Sequence, residues 1–246
     1  MAAAILLSQE ALQLAPDGHP DRAVRLVNFG NTLHSRYNRI GDQEDLETAI
    51  LIYQEGLGIM PEDYPTPWVL LNNFGTLLIS LYSKTGALQD LGAAIATLQR
   101  ALYLIPVDNI GRFEILHNLA EYLGNRYRRT ADLDDLKAAI SLSHEIVELT
   151  QPDDPHRHIY LNNLGNQLRL KYQQTEDFQD LEASISSYRE AADIIPDGYP
   201  HRLIPLANLG ISLNRRYERR GDLLDLKAAI SITQEALKLT PEDHPN

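Results

Sequence analysis

One interval governs this chain. Asn28, Asn73, Asn118, Asn163 and Asn208 are spaced 45 residues apart, and so are Tyr37, Tyr82, Tyr127, Tyr172 and Tyr217. Asp45, Asp90, Asp135, Asp180 and Asp225 keep the same interval, and no insertion or deletion breaks it. Pro16, Pro61, Pro106, Pro196 and Pro241 lie on the same grid, with Gln151 in the remaining slot and Pro152 one place later. A constant period in this range requires stacked supersecondary units, each burying its apolar face against the next.

Two helical patterns are legible in each unit. In the first unit Leu26, Phe29, Leu33 and Tyr37 recur at spacings of three and four, which predicts a helix from about Arg22 to Ile40. Leu46, Ala49, Ile50, Tyr53 and Leu57 predict a second, from about Asp42 to Met60. Between them stands Gly41, then Asp42 with Asp45 three residues on; Asp132/Asp135, Asp177/Asp180 and Asp222/Asp225 repeat the pair, while the second unit has Ala87 at the first site. Carboxylates there cap free N–H groups and favour the helix dipole, a structural role. The links "PEDYPTP", "QPDDPHR" and "PDGYPHR" are helix stops and turn formers. Small residues mark close helix approach: Gly30, Gly75, Ala120, Gly165 and Gly210 in the first helix, and Ala49, Ala94, Ala139, Ser184 and Ala229 in the second. Glycine within a helix costs about 1 kcal/mol relative to alanine, so its recurrence implies a packing cause.

The fifth unit, "LANLGISL…GDLLDLKAAISITQEALKLTP", resembles a tetratricopeptide repeat, with Leu-Gly on its first helix and Ala229, Ala236 and Pro241 at the family's second-helix spacing. The usual repeat has about 34 residues, so this one carries about 11 more. Seven of them span the turn between the helices, about two helical turns, so each helix can lengthen by one turn without rotating its buried face. The text is similar to the long repeats of kinesin light chains and to arrays in large fungal proteins. The resemblance implies an all-α, right-handed superhelical solenoid of about 11 helices and a binding role toward other proteins. It partitions 1–246 as a single array, with a lone second helix and loop at 1–21 and repeats at 22–66, 67–111, 112–156, 157–201 and 202–246. Neither end carries an evident polar capping helix, so the expectation is a segment of a longer array, or one whose ends self-associate.

Placed on a helical wheel at about 100° per residue, Leu161, Leu164, Gly165, Leu168 and Tyr172 cluster roughly 155° from Asn163. The five asparagines are therefore expected to point away from the core. In a tetratricopeptide-like stack the first helices line the concave side, so the resemblance implies a ladder of amides along a groove, each offering a donor and an acceptor to an extended peptide backbone. The competing expectation is that each amide bonds the neighbouring first helix and locks the stack. Variable positions three residues on, among them Asn31 and Asn166, would then read ligand side chains. Arg39, Lys84, Arg129 and Arg219, eleven residues after the asparagines, and Arg215, seven after, would form a positive strip selecting an acidic peptide or a carboxylate; the helix dipole alone also accounts for cations at a helix C-terminus. Arg36, Leu81, Arg126, Lys171 and Arg216 form a further column eight residues on.

Composition narrows the function classes. A net charge of −12 argues against a nucleic-acid partner. No apolar run reaches the length of a membrane span, and the opening "MAAAILLSQEALQLAP" lacks a basic n-region. The absence of cysteine excludes disulfides and thiolate chemistry and fits a cytoplasmic location. His156 and His158 beside Asp153 and Asp154 would suit a metal, but the equivalent loops lack the pair, which favours surface residues. His117 replaces the asparagine found at 72 and 162 and reads as a groove residue. No phosphate-binding loop, dinucleotide turn, nucleophile elbow or zinc-protease motif is present, so neither a cofactor nor an enzymatic activity is expected.

Overall fold

The computed structural model describes residues 2–239; Pro241 and the rest of 240–246 lie outside the described residues. Eleven α-helices occupy the described residues: α1 (Ala2–Gln13), α2 (Arg22–Ile40), α3 (Gln43–Gly58), α4 (Pro67–Thr85), α5 (Leu88–Leu104), α6 (Arg112–Thr130), α7 (Leu133–Leu149), α8 (Arg157–Thr175), α9 (Phe178–Ile194), α10 (Leu203–Arg220) and α11 (Leu223–Lys238). A single 3-10 turn at Pro200–Arg202 precedes α10. The even-numbered helices are the first helices of the repeats, and the odd-numbered are the second helices. The chain forms two compact units, 1–122 and 123–246, divided within α6 rather than in a loop.

The turn inside each hairpin closes by the same device. The N–H of Gly41 donates to the Tyr37 carbonyl at 2.7 Å, and Gly86 and Gly221 do the same to Tyr82 and Tyr217, all three in the left-handed region. Ala131 and Glu176 take that conformation at φ 56° without glycine's freedom, at a cost of roughly 1–2 kcal/mol. One residue on, Asp42, Asp132, Asp177 and Asp222 each accept the N–H two residues ahead, capping the second helix. Ala87 makes no such cap; Thr85 Oγ1 takes the Ala87 N–H at 3.1 Å instead.

The second carboxylate of the pair does something else. Asp45, Asp135, Asp180 and Asp225 are buried, and each meets the cation at the end of its own first helix. Arg126 grips Asp135 with two bonds of 2.7 and 2.6 Å, Arg36 grips Asp45 and Arg216 grips Asp225 by the same fork, and Lys171 reaches Asp180 at 2.9 Å. The hydrogen bond that Arg126 donates to Asp135, with the carboxylate's field, raises the guanidinium pKa above its ordinary value. In four of the five repeats the column eight residues past the asparagines therefore stitches the two helices of a hairpin together.

Links between repeats are held by an arginine at the start of the first helix. Arg22 donates to the Ala15 carbonyl, Arg157 to that of Thr150 and Arg202 to that of Ile195, at 2.8–2.9 Å. The same guanidiniums pair with Glu55, Glu190 and Glu235 of their own hairpins. In unit 1–122 the core joins Leu26, Leu33, Leu46, Tyr53, Leu70 and Leu77. In unit 123–246 it joins Tyr172, Leu181, Ile185, Tyr188, Leu209 and Leu213. Among the described residues no helix is long and apolar enough to cross a membrane.

Candidate protein-binding face

The first helices carry polar side chains on the face opposite their aliphatic seam. Asn28 is exposed; Asn73, Asn118, Asn163 and Asn208 are half-buried, whereas Leu161, Leu164 and Leu168 on the same helix as Asn163 are buried. Two of the amides reach sideways. Asn118 Nδ2 donates to Asn72 Oδ1 at 3.3 Å, and Asn208 Nδ2 donates to Asn162 Oδ1 at 3.0 Å, each 46 residues apart and each between consecutive first helices. His34 Nε2 and Ser80 Oγ, also 46 apart, meet at 2.9 Å between α2 and α4. Burial lowers the His34 pKa, and its ring stacks on Tyr37. The asparagine column thus stands at the edge of the open face, next to the preceding first helix. An amide that spends one N–H there keeps its carbonyl and second N–H.

The second helices contribute to this face from beneath. Tyr53 passes under Gly30, and its hydroxyl donates to Asn31 Oδ1. Tyr188 passes under Gly165 and donates to Asn166 Oδ1 at 2.9 Å, while Arg169 Nε approaches the same hydroxyl at 3.4 Å. Both pairs are separated by 22 residues. Desolvation pushes the Tyr53 phenol up, with a hydrogen bond to Asn73 pulling the other way. With Oδ1 of Asn31 and Asn166 taken by a hydroxyl, their N–H₂ groups are turned away from the tyrosine. Neither tyrosine was singled out as a face residue from sequence. The signal existed: the two repeats with tyrosine at this second-helix site are the two with asparagine at 31 and 166, and the others pair Leu98 with Thr76, Ser143 with Glu121 and Thr233 with Ile211.

The cations expected to form a strip are divided. Arg39 and Arg129 are exposed and make no ion pair among the described residues. Lys84 approaches Glu47 at 3.9 Å, and Arg215 pairs with Glu218 at 3.1 Å. Arg219 bonds the Tyr172 hydroxyl at 3.1 Å and Glu176 at 2.7 Å, which raises its pKa. His156 lies 3.5 Å from Asp154, and its backbone N–H donates to the same carboxylate. Among the described residues no three His, Cys, Asp or Glu side chains gather as a metal site.

The hairpin geometry and the recurring small-residue column meet in the comparisons with known proteins. A tetratricopeptide-repeat family model matches residues 114–156 and 206–246. Its fold is that of a tetratricopeptide-repeat array. No curated protein matches its sequence. Among solved structures it is similar to BtubC (BKLC) from P. vanneervenii, at 18% identity and TM-score 0.63, covering 100% of this chain and 94% of that one. YrrB, described as a TPR protein with an unusual peptide-binding site, is 17% identical with TM-score 0.62, covering 95% and 94%. A Podosopora anserina putative kinesin light chain with nearly identical TPR-like repeats is 14% identical with TM-score 0.57, covering 87% and 96%. At these identities the likeness is one of fold. Tetratricopeptide arrays are, as a class, protein-interaction scaffolds rather than enzymes, using the extended surface that stacked repeats create.

Proposed function

We propose that the polar face of the first helices binds an extended segment of a partner protein, with the asparagine amides holding its backbone. The observation that carries this reading is the anchored geometry of Asn31 and Asn166. A tyrosine from the second helix occupies each carbonyl, so an oriented N–H₂ donor stands ready for a ligand carbonyl with little side-chain entropy left to lose. Asn28, Asn73 and Asn118 in unit 1–122, and Asn163 and Asn208 in unit 123–246, repeat the donor-and-acceptor chemistry at the face's edge. Asn118 and Asn208 already bond the preceding first helix and Asn73 the Tyr53 hydroxyl, and their remaining donors and acceptors serve the ligand. Arg39 and Arg129 supply uncompensated positive charge at the helix ends, so the favoured segment carries carboxylates.

A random peptide library displayed on phage and selected against the full chain tests this. The expected binders carry acidic residues, and their affinity falls at least tenfold in Asn28→Ala. The Asn28 side chain makes no hydrogen bond to a described residue, so thermal stability should stay within about 0.5 kcal/mol. Asn118→Ala should weaken binding and also cost about 1 kcal/mol, because it leaves Asn72 without its donor. Binders indifferent to Asn28→Ala and to Arg39→Ala would overturn the reading.

A further inference from the structure

The links that lead into the first helices share one backbone. Before α6 the Asn109 N–H donates to the Pro106 carbonyl at 3.1 Å, and the Arg112 N–H to the Asn109 carbonyl at 2.9 Å. His19 to Pro16 and Arg22 to His19 make the same two bonds before α2, and Tyr199 to Pro196 and Arg202 to Tyr199 make them before α10. Three side chains set the link before α6 apart. Tyr103, Val107 and Ile110 are 88%, 80% and 95% exposed. Where Val107 stands, the other repeats carry Asp17, Glu62, Pro152 and Asp197; where Ile110 stands, they carry Pro20, Pro65, Pro155 and Pro200. The apolar side chain that the fold draws from this link is Ile105, which is buried. Large apolar groups left in water on a fixed turn, at positions the same backbone fills with Asp, Glu or Pro elsewhere, mark a contact surface.

The charge around them selects the occupant. Asn118 of α6 bonds Asn72 of α4, 46 residues away, so the two helices run parallel and in register. Their links therefore stand side by side at one edge of unit 1–122, where Glu62, Asp63 and Asp108 are exposed. None of these three carboxylates makes an ion pair or a hydrogen bond among the described residues. Unpaired negative charge beside the apolar groups repels an anionic lipid surface. It also opposes a second copy of the chain, which carries a net charge of −12 and would bring the same carboxylates to a two-fold contact. A segment with Lys or Arg next to large apolar side chains answers both features.

We infer that the edge formed by the links before α4 and α6 docks a basic segment of a partner protein, with its apolar side chains on Tyr103, Val107 and Ile110 and its cations on Glu62, Asp63 and Asp108. This edge contains none of the asparagines or arginines of the polar face. The test is a random peptide library displayed on phage, selected on the full chain and counter-selected on Val107→Asp/Ile110→Pro. That variant takes its residues from the links at 16–20 and 196–200, which close by the same backbone bonds, so its fold is retained. The surviving peptides should place Lys or Arg beside Leu, Ile, Phe or Trp and bind the variant at least tenfold more weakly. Their affinity should fall at least threefold in Asp63→Asn/Asp108→Asn, fall as salt is raised, and stay unchanged in Asn28→Ala. No surviving peptide, survivors without cations, or survivors indifferent to Asp63→Asn/Asp108→Asn would overturn the inference. So would binding of the full chain to phosphatidylcholine–phosphatidylserine vesicles, or a dimer that Val107→Asp/Ile110→Pro abolishes, since either would show a different occupant on these side chains.

Discussion

At the scale of single residues, the hairpin ion pair shows how one atom decides an energy. Arginine at 36, 126 and 216 presents two N–H groups to the two oxygens of its aspartate. Lys171 reaches only Oδ1 of Asp180, and Asp180 Oδ2 is left buried without a hydrogen-bond partner. A buried carboxylate oxygen with no donor costs on the order of 1–3 kcal/mol. Lys171→Arg is therefore predicted to stabilise the chain by about 1 kcal/mol, read as a raised midpoint in urea with unchanged slope. The second repeat solves the same problem differently: Leu81 replaces the cation, and Thr85 Oγ1 donates to Asp90 at 2.6 Å. Both members of each pair were visible in the sequence at constant spacing. Their meeting was not, because it depends on the left-handed residue that folds the second helix back onto the first.

Within the hairpin, packing explains the glycine column that the sequence only flagged. A Cβ on Gly165 would stand 2.7 Å from the Tyr188 ring, and one on Gly30 would stand 2.8 Å from Tyr53. Gly75 faces Leu98 at 2.9 Å and Gly210 faces Thr233 at 2.7 Å in the same way. In the third repeat alanine, Ala120, takes the glycine column and serine, Ser143, the second-helix site, and both are buried. Glycine on the first helix thus goes with a bulkier Tyr, Leu or Thr on the second, and alanine with the small serine. Gly165→Ala should destabilise by about 1–3 kcal/mol through overpacking. In a Tyr188→Ser background the same change should become neutral or gain up to about 1 kcal/mol from helix propensity. Thermal unfolding of the four proteins of this cycle measures the coupling, and equal effects in both backgrounds would remove the complementarity argument. The tyrosine matters twice, because the ring that demands glycine also carries the hydroxyl that anchors the neighbouring asparagine.

Over the whole molecule, each compact unit is built from contacts between elements that are neighbours in sequence, the arrangement in which stability spreads from repeat to repeat. Leu213→Ala, which opens a cavity among Ile185, Tyr188 and Leu209, should cost about 2–5 kcal/mol locally. Hydrogen exchange should then quicken most in α9, α10 and α11 and least in α2 and α3; uniform loss of protection would show that the chain unfolds as one block. A strict 45-residue period, apolar spacing of three and four, and Gly, Pro and Asp at fixed places were enough to set the helices, their pairing and the repeat family. These are local rules, legible without coordinates because backbone hydrogen bonding and capping involve near neighbours in sequence. The amide column was legible as a polar face but not as an edge that leans on the helix before it. That the tyrosines anchor asparagines and that the buried aspartates meet cations of the preceding helix were decided by tertiary structure. They depend on which side chains from different helices arrive at one point, and a one-dimensional pattern holds the members of such a meeting without recording that they meet.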